Sequence, residues 1–191
     1  MKRSIDELRA KRALAEFLSA MGYDPSNPEL SETPSRVVEA YLSDLVVGED
    51  VDIQALVEAG AVPGASECLV VVSDIAVCSL CPHHLLPAEG TATVVYAPGE
   101  RLLGLGTVAA LVSALSRRLT LQERITESVV SALMTHAKAR GAYCCLRLDH
   151  ACLRLRGQRQ SRATVRTAKT AGILLEPRWS EELSRLLGGQ P

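Results

Sequence analysis

Residues 68–97 read CLVVVSDIAVCSLCPHHLLPAEGTATVVYA, and this stretch decides the fold. Cys68 to Cys78 is rich in Val and Ile and predicts one strand; Thr91 to Ala97, closed by Pro98-Gly99, predicts a second. Downstream, Val108, Leu111, Val112 and Leu115 recur at helical spacing, as do Ile125, Val129, Ala132, Leu133 and His136, the second run ending at Gly141. Ala142–Leu148 and Ala163–Ala171 are two more strands, and a short helix starts at Ser180. Strands joined by a hairpin need no crossover, so the order strand-strand-helix-helix-strand-strand predicts an α+β fold. It is a four-stranded antiparallel sheet with two helices on one face. Such a sheet has two open edges, a reason to expect an oligomer.

Upstream, Ile5, Leu8, Leu14, Phe17, Leu18 and Met21 predict a helix stopped at Gly22, and Asp24-Pro25-Ser26-Asn27-Pro28 is a break. A second helix starts with Thr33 as N-cap and Pro34 at its first position, with Val37, Val38, Tyr41, Leu42 and Leu45 as its apolar face. Val62-Pro63-Gly64-Ala65-Ser66 marks a boundary, giving an N-terminal helical region, 1–64, and a main domain, 65–191.

The length, 191 residues, suits one buried domain with a helical extension. Hydrophobic residues make up 47% of the chain but include one Phe and one Trp, so the core must be aliphatic. A net charge of −1 gives no reason to expect a nucleic-acid or membrane partner. Met1 to Arg12 is charged throughout and reads as neither a signal peptide nor a membrane span, so a cytoplasmic location is expected. The six cysteines then read as free thiols or metal ligands rather than disulfides.

Cys81 and His84 follow a strand end, and C-x2-H spacing lets thiolate and imidazole reach one zinc ion from a turn. Cys152, in His150-Ala151-Cys152, is a candidate third ligand. On these residues alone, buried apolar thiols with hydrogen-bonded histidines are equally open. Cys78-x2-Cys81 is a competing redox or thiolate pattern, but no second C-x2-C completes a zinc ribbon. Thr120-Leu121-Gln122-Glu123 matches a capping box, whereas a carboxylate there can also accept from a guanine-type edge. Arg154, Arg156, Arg159, Arg162, Arg166 and Lys169 form a solvated strand face or an anion site. His136 is a core or interface histidine, and Cys68, Cys144 and Cys145 are packing residues within strands.

Taken in order, Glu32-Thr33-Pro34-Ser35-Arg36, Cys81-Pro82-His83-His84, Gly104-Leu105, Gln122-Glu123-Arg124, His150-Ala151-Cys152 and Arg156-Gly157 resemble the GTP cyclohydrolase I family. The resemblance implies the tunnelling fold, closed into an oligomeric barrel of typically ten chains with active sites between subunits. It implies zinc held by Cys81, His84 and Cys152, with His83 and His150 as acid–base residues. Glu123 and Gln122 would hold the pyrimidine ring of a small-molecule purine, and Leu105, Arg156 and Arg36 would also contact substrate. Zinc would bring the pKa of water toward neutrality for attack at C8, and hydrolysis would release formate on the way to a pterin.

The chain departs from the family pattern in one region. Where the family reads Gly-Leu-Ser-Lys this chain has Gly104-Leu105-Gly106-Thr107; an expected arginine is Ala110, an expected lysine is Glu39, and a glutamate is Pro82. All but the last hold triphosphate in the family, each charge-assisted bond being worth about 1.5–3 kcal/mol. The sequence therefore predicts a zinc-dependent cyclohydrolase opening a guanine-type base or nucleoside rather than a triphosphate. The alternatives are a true GTP cyclohydrolase I with phosphate contacts rebuilt from Arg117, Arg118, Arg159 or Arg162, and a non-catalytic zinc-containing binding or regulatory protein.

Overall fold

The computed structural model describes residues 3–24 and 26–188; Met1, Lys2, Pro25 and residues 189–191 lie outside it, and with them part of the charged N-terminal stretch and of the 24–28 break. In chain order the described residues form α1 (Glu7–Ala20), α2 (Thr33–Ala40), α3 (Ile53–Ala59), β1 (Ala61–Pro63), β2 (Val70–Leu80), β3 (Pro87–Ala97) and β4 (Arg101–Leu103). Then follow α4 (Leu105–Ser116), α5 (Gln122–Thr135), β5 (Gly141–His150), α6 (Ala151–Arg154), β6 (Val165–Gly172) and α7 (Pro177–Leu186).

The sheet has the order β2-β3-β5-β6, every pair antiparallel. This is the ββααββ tunnelling fold. Period-two alternation puts Ile75, Val77, Ala88, Ala92, Val94, Tyr96, Cys144, Leu146 and Leu148 on one buried face. Against it pack Val108, Leu111, Val112 and Leu115 of α4 and Ile125, Val129 and Leu133 of α5, so both helices cover the same side. The core is largely aliphatic, as the composition requires; Tyr96, wholly buried within it, accepts the backbone N–H of Leu103 at its hydroxyl. A bulge between Val72 and Ile75 bends β2, and Asp74 takes the positive φ there, which its short polar side chain tolerates.

Several elements depart from the sequence reading. Both hairpin strands run to the turn, β2 shifted two residues along the chain and β3 four residues longer than expected, because Ser79, Glu89 and Gly90 interrupt the apolar pattern without interrupting the ladder. Cys68 precedes β2 and is exposed, so it is not a packing residue, whereas Cys144 is. The α2 N-cap is Glu32, with Thr33 already helical. The short α3, capped by the Asp52 carboxylate on the Ala55 N–H, escaped the periodicity, yet its Val57 is wholly buried in the core. The β1–β4 pair escaped as well.

At Gly90, β3 and β5 approach closely. A Cβ there would run into the carbonyl oxygen of Arg147, a backbone atom that cannot step aside. Gly90→Ala is expected to destabilise the fold by about 1–3 kcal/mol, as overpacking does. It would lower the melting temperature by about 2–4 °C per kcal/mol. Circular dichroism melts check this, and an unchanged melt would show that β5 can shift freely.

Candidate functional site

The β2–β3 hairpin carries the first cluster at its tip. Cys81 N–H donates to the Leu86 carbonyl, and the Cys81 carbonyl accepts from the N–H groups of His84 and Leu85, with Leu85 at φ 55°. This tight turn fixes Cys81 and His84 on one side, and the Tyr41 hydroxyl braces it by donating to the Leu85 carbonyl. The second cluster arrives through β5. Ala88 of β3 stands opposite Ser79 of β2 on one side and His150 of β5 on the other. Cys152 lies two residues past His150, in α6.

The ligand atoms of Cys81, His84 and Cys152 all lie within 4.8 Å of one another, the one such group among the described residues. Cys81 Sγ is 3.5 Å from His84 Nδ1. A tetrahedral zinc with bonds of 2.3 Å to sulfur and 2.0–2.1 Å to nitrogen would set that edge at about 3.6 Å, so the donor set fits the ion. Burial, and then the nearby Cys81 thiol, push the Cys152 pKa up. A divalent cation reverses that preference by stabilising both thiolates. Arg156 places a guanidinium nitrogen 2.6 Å from His84 Nε2. Guanidinium only donates, so Nε2 accepts there and Nδ1 carries the ring proton. A cation at Nδ1 therefore requires that proton to leave and Arg156 to let go.

Beside the triad is a hollow of about 230 Å³. The row Ser79–Ala88–His150 forms its floor, since the small Ala88 leaves space between its larger neighbours, and the start of α5 forms its wall. His83, exposed at the hairpin tip, reaches its edge, with Nδ1 4.0 Å from Cys81 Sγ. The N-cap of α5 is Leu121, without a side-chain cap, so the capping box does not form. Glu123 lines the hollow instead, and its charge pulls the His150 pKa up against the larger effect of burial, which holds it below the usual histidine value. A carboxylate in the first turn is also favoured by the helix dipole.

Gln122, expected on the pyrimidine ring of a purine, is also tied into the protein. Its amide is buried, and every hydrogen bond it makes among the described residues is to the chain itself, including one of 2.7 Å to His150. The α5 apolar period, in which Gln122, Ile125 and Val129 share a face, was the available signal for its burial. Ser79 was missed as well. Its hydroxyl is buried without a hydrogen-bond partner among the described residues and borders the hollow, and the alternation Ile75, Val77, Ser79 marks it as a polar group on the core face. Arg36 and Leu105 are exposed and line no part of this hollow. The hollow is smaller than the roughly 300–1,000 Å³ of complete ligand pockets.

Comparison with known proteins agrees with this geometry. The family model for GTP cyclohydrolase I matches residues 10–187. A GTP cyclohydrolase 1 of Leifsonia xyli subsp. xyli is 39% identical over 184 residues, 96% of each chain. One of Pelagibacter ubique is 38% identical over 167 residues, covering 86% of this chain and 82% of that one. One of Bifidobacterium longum is 35% identical over 187 residues, covering 97% and 93%. The chain belongs to the GTP cyclohydrolase I family, whose members are zinc-dependent hydrolases. Among solved structures, the archaeosine synthase QueF-Like in the apo form aligns with a TM-score of 0.45 and 15% identity, over 56% of this chain and 96% of that one, and carries no weight for the site. No described helix is long and apolar enough to cross a membrane.

Ser79→Ala would remove a buried hydroxyl that gains no bond from folding. Its melting temperature is expected to hold or rise, because an unsatisfied buried polar group costs about 1–3 kcal/mol. A melt lowered by several degrees would show that the hydroxyl is satisfied.

Proposed function

We propose that this protein hydrolyses GTP at C8 of the guanine, releases formate and yields 7,8-dihydroneopterin triphosphate. The observation that carries the reading is the convergence of Cys81, His84 and Cys152 beside His150 and Glu123, in a chain 39% identical over nearly its whole length to a protein named GTP cyclohydrolase 1. The three ligand residues would hold zinc and leave its fourth position open. Zinc there supplies Lewis-acid activation of water for attack at C8.

The chain's own groups do the rest. Glu123 only accepts hydrogen bonds and so suits the N–H groups of the guanine edge. His150 and His83 exchange protons with the ring as the C8–N9 bond breaks. Leu105 and Arg36, outside the hollow in one chain, contribute from a neighbouring subunit of a homo-oligomer, which we take to be a decamer with its sites between chains. That arrangement also accounts for the small volume of the hollow.

The triphosphate falls to Arg156, Arg159 and Arg162, exposed on the loop after α6. Arg117 and Arg118 are less suited, because their guanidinium groups donate to the carbonyls of Asp44 and Ala114. The expectation of a phosphate-poor substrate gives way in this reading. It rests on Gly106, Thr107, Ala110 and Glu39, and the relatives that span the whole chain are named for GTP. Thr107 packs against Gly60 within the fold, so that position serves the α3–β1 corner. The four substitutions still favour a nucleoside as the second reading, and one assay separates the two.

Zinc-loaded protein is incubated with micromolar GTP or guanosine, and formate and pterin fluorescence are measured. GTP is expected to be preferred in kcat/KM by at least about 10²-fold, the worth of one or two charge-assisted phosphate contacts. Equal or better turnover of guanosine would establish the second reading. Formate from neither would remove both.

A further inference from the structure

Gln122 sits where sequence would put a substrate-binding amide, yet its hydrogen bonds run into the protein. Its Nε2 lies 3.2 Å from the Leu146 carbonyl, 3.1 Å from the Val165 carbonyl and 3.1 Å from Thr167 Oγ1. Its Oε1 lies 2.7 Å from His150 Nε2. The two N–H groups of the amide are shared among these three acceptors, and the direction of the remaining bonds follows from which groups can only accept.

Two of the groups around Nε2 are backbone carbonyls, which only accept. Turning the amide over would set Oε1 against two carbonyl oxygens, so its NH2 must face β5 and β6. The threonines agree. Thr126 Oγ1 donates to the Gln122 carbonyl at 3.0 Å. Its lone pair is then the acceptor for Thr167, 2.7 Å away, and the Thr167 oxygen keeps a lone pair for Gln122 Nε2. With the amide held this way, Oε1 can only accept, and His150 Nε2 must carry a hydrogen. In the neutral ring the free lone pair is then on Nδ1.

We propose that Gln122 is a positioning residue that locks His150 in its Nε2–H tautomer, so that Nδ1 is the atom that takes and returns the proton. The inference rests on the reading above, in which His150 moves protons in the cyclohydrolase reaction. The lock is rigid for a physical reason. Gln122 and Thr126 are 3% and 2% exposed, so neither water nor a rotamer change offers the amide a substitute partner. A neutral imidazole in the wrong tautomer would present N–H where a base is needed, and the ring proton transfer would fail although the residue is present.

The chain has four histidines, so selective ¹⁵N-histidine labelling gives a spectrum simple enough to assign with His150→Ala. Magic-angle-spinning NMR of the intact, zinc-loaded oligomer, at a pH well above the usual histidine value, is expected to show His150 protonated at Nε2 alone. A protonated Nδ1, or a mixture of tautomers, overturns the proposal. Gln122→Met keeps the length and removes both ends of the lock. It is expected to show mixed tautomers and a kcat lowered about 10²-fold, with KM nearly unchanged. A raised KM with unchanged kcat in Gln122→Met would return Gln122 to the substrate and overturn the positioning role. If His150→Ala turns over at the wild-type rate, the acid–base reading of His150 falls and takes this proposal with it. If His150→Ala is inactive while wild type shows Nδ1–H, only the role of Gln122 falls.

Discussion

The antiparallel register that sets Ala88 between Ser79 and His150 is the constraint on which the rest of the site depends. It fixes how far the end of β5 reaches, and so where Cys152 meets the hairpin tip that carries Cys81 and His84. A slip of one residue would turn every side chain of β5 to the opposite face. Leu146, Leu148 and His150 would then leave the helix side, and the core and the site would be lost together. Register is therefore secured by the same burial that stabilises the domain, and Gly90 permits the close approach of β3 and β5. The 68 residues of chain between Cys81 and His150 serve, in this sense, to bring two strand ends side by side.

The arrangement divides labour between rigid and open parts. Behind the wall of the hollow, Gln122 and Thr126 are buried and hydrogen-bonded to one another and to Thr167. Glu123, His83 and His84, which would meet substrate or metal, are exposed. Rigid support beneath accessible groups is what a site needs when its geometry must be held within a fraction of an ångström. The small hollow and the open edges of β2 and β6 both fit the proposed homo-oligomer. A four-stranded sheet that ends in unpaired strands has both a need for neighbours and a place for them to add residues.

Much of this was legible in the sequence, for identifiable reasons. The strands and the two packed helices announced themselves because burial on one face imposes a period; Cys81 and His84 were legible as a ligand spacing, while Cys152 stood as a candidate that the family resemblance joined to them. The misreadings have physical causes too. The capping box failed because Leu121 takes the N-cap, and Thr120-x-x-Glu123 shares its pattern with a carboxylate that faces a hollow. The three hydrogen bonds that tie Gln122 of α5 to the sheet were not legible, because nothing in the sequence marks a helix residue as a partner of Leu146, Val165 and Thr167. Lost phosphate-contact residues were weighed as lost function, although exposed arginines on a neighbouring loop can offer the same chemistry from another direction.

The central claim is that Cys81, His84 and Cys152 hold one zinc ion with a position left for chemistry. X-ray absorption at the zinc edge, on the purified oligomer, tests it most directly. The account predicts about two sulfur and two lighter neighbours, one of the lighter ones exchanging when substrate or a small anion is added. Three or four sulfurs, or a closed shell that no ligand perturbs, would contradict it.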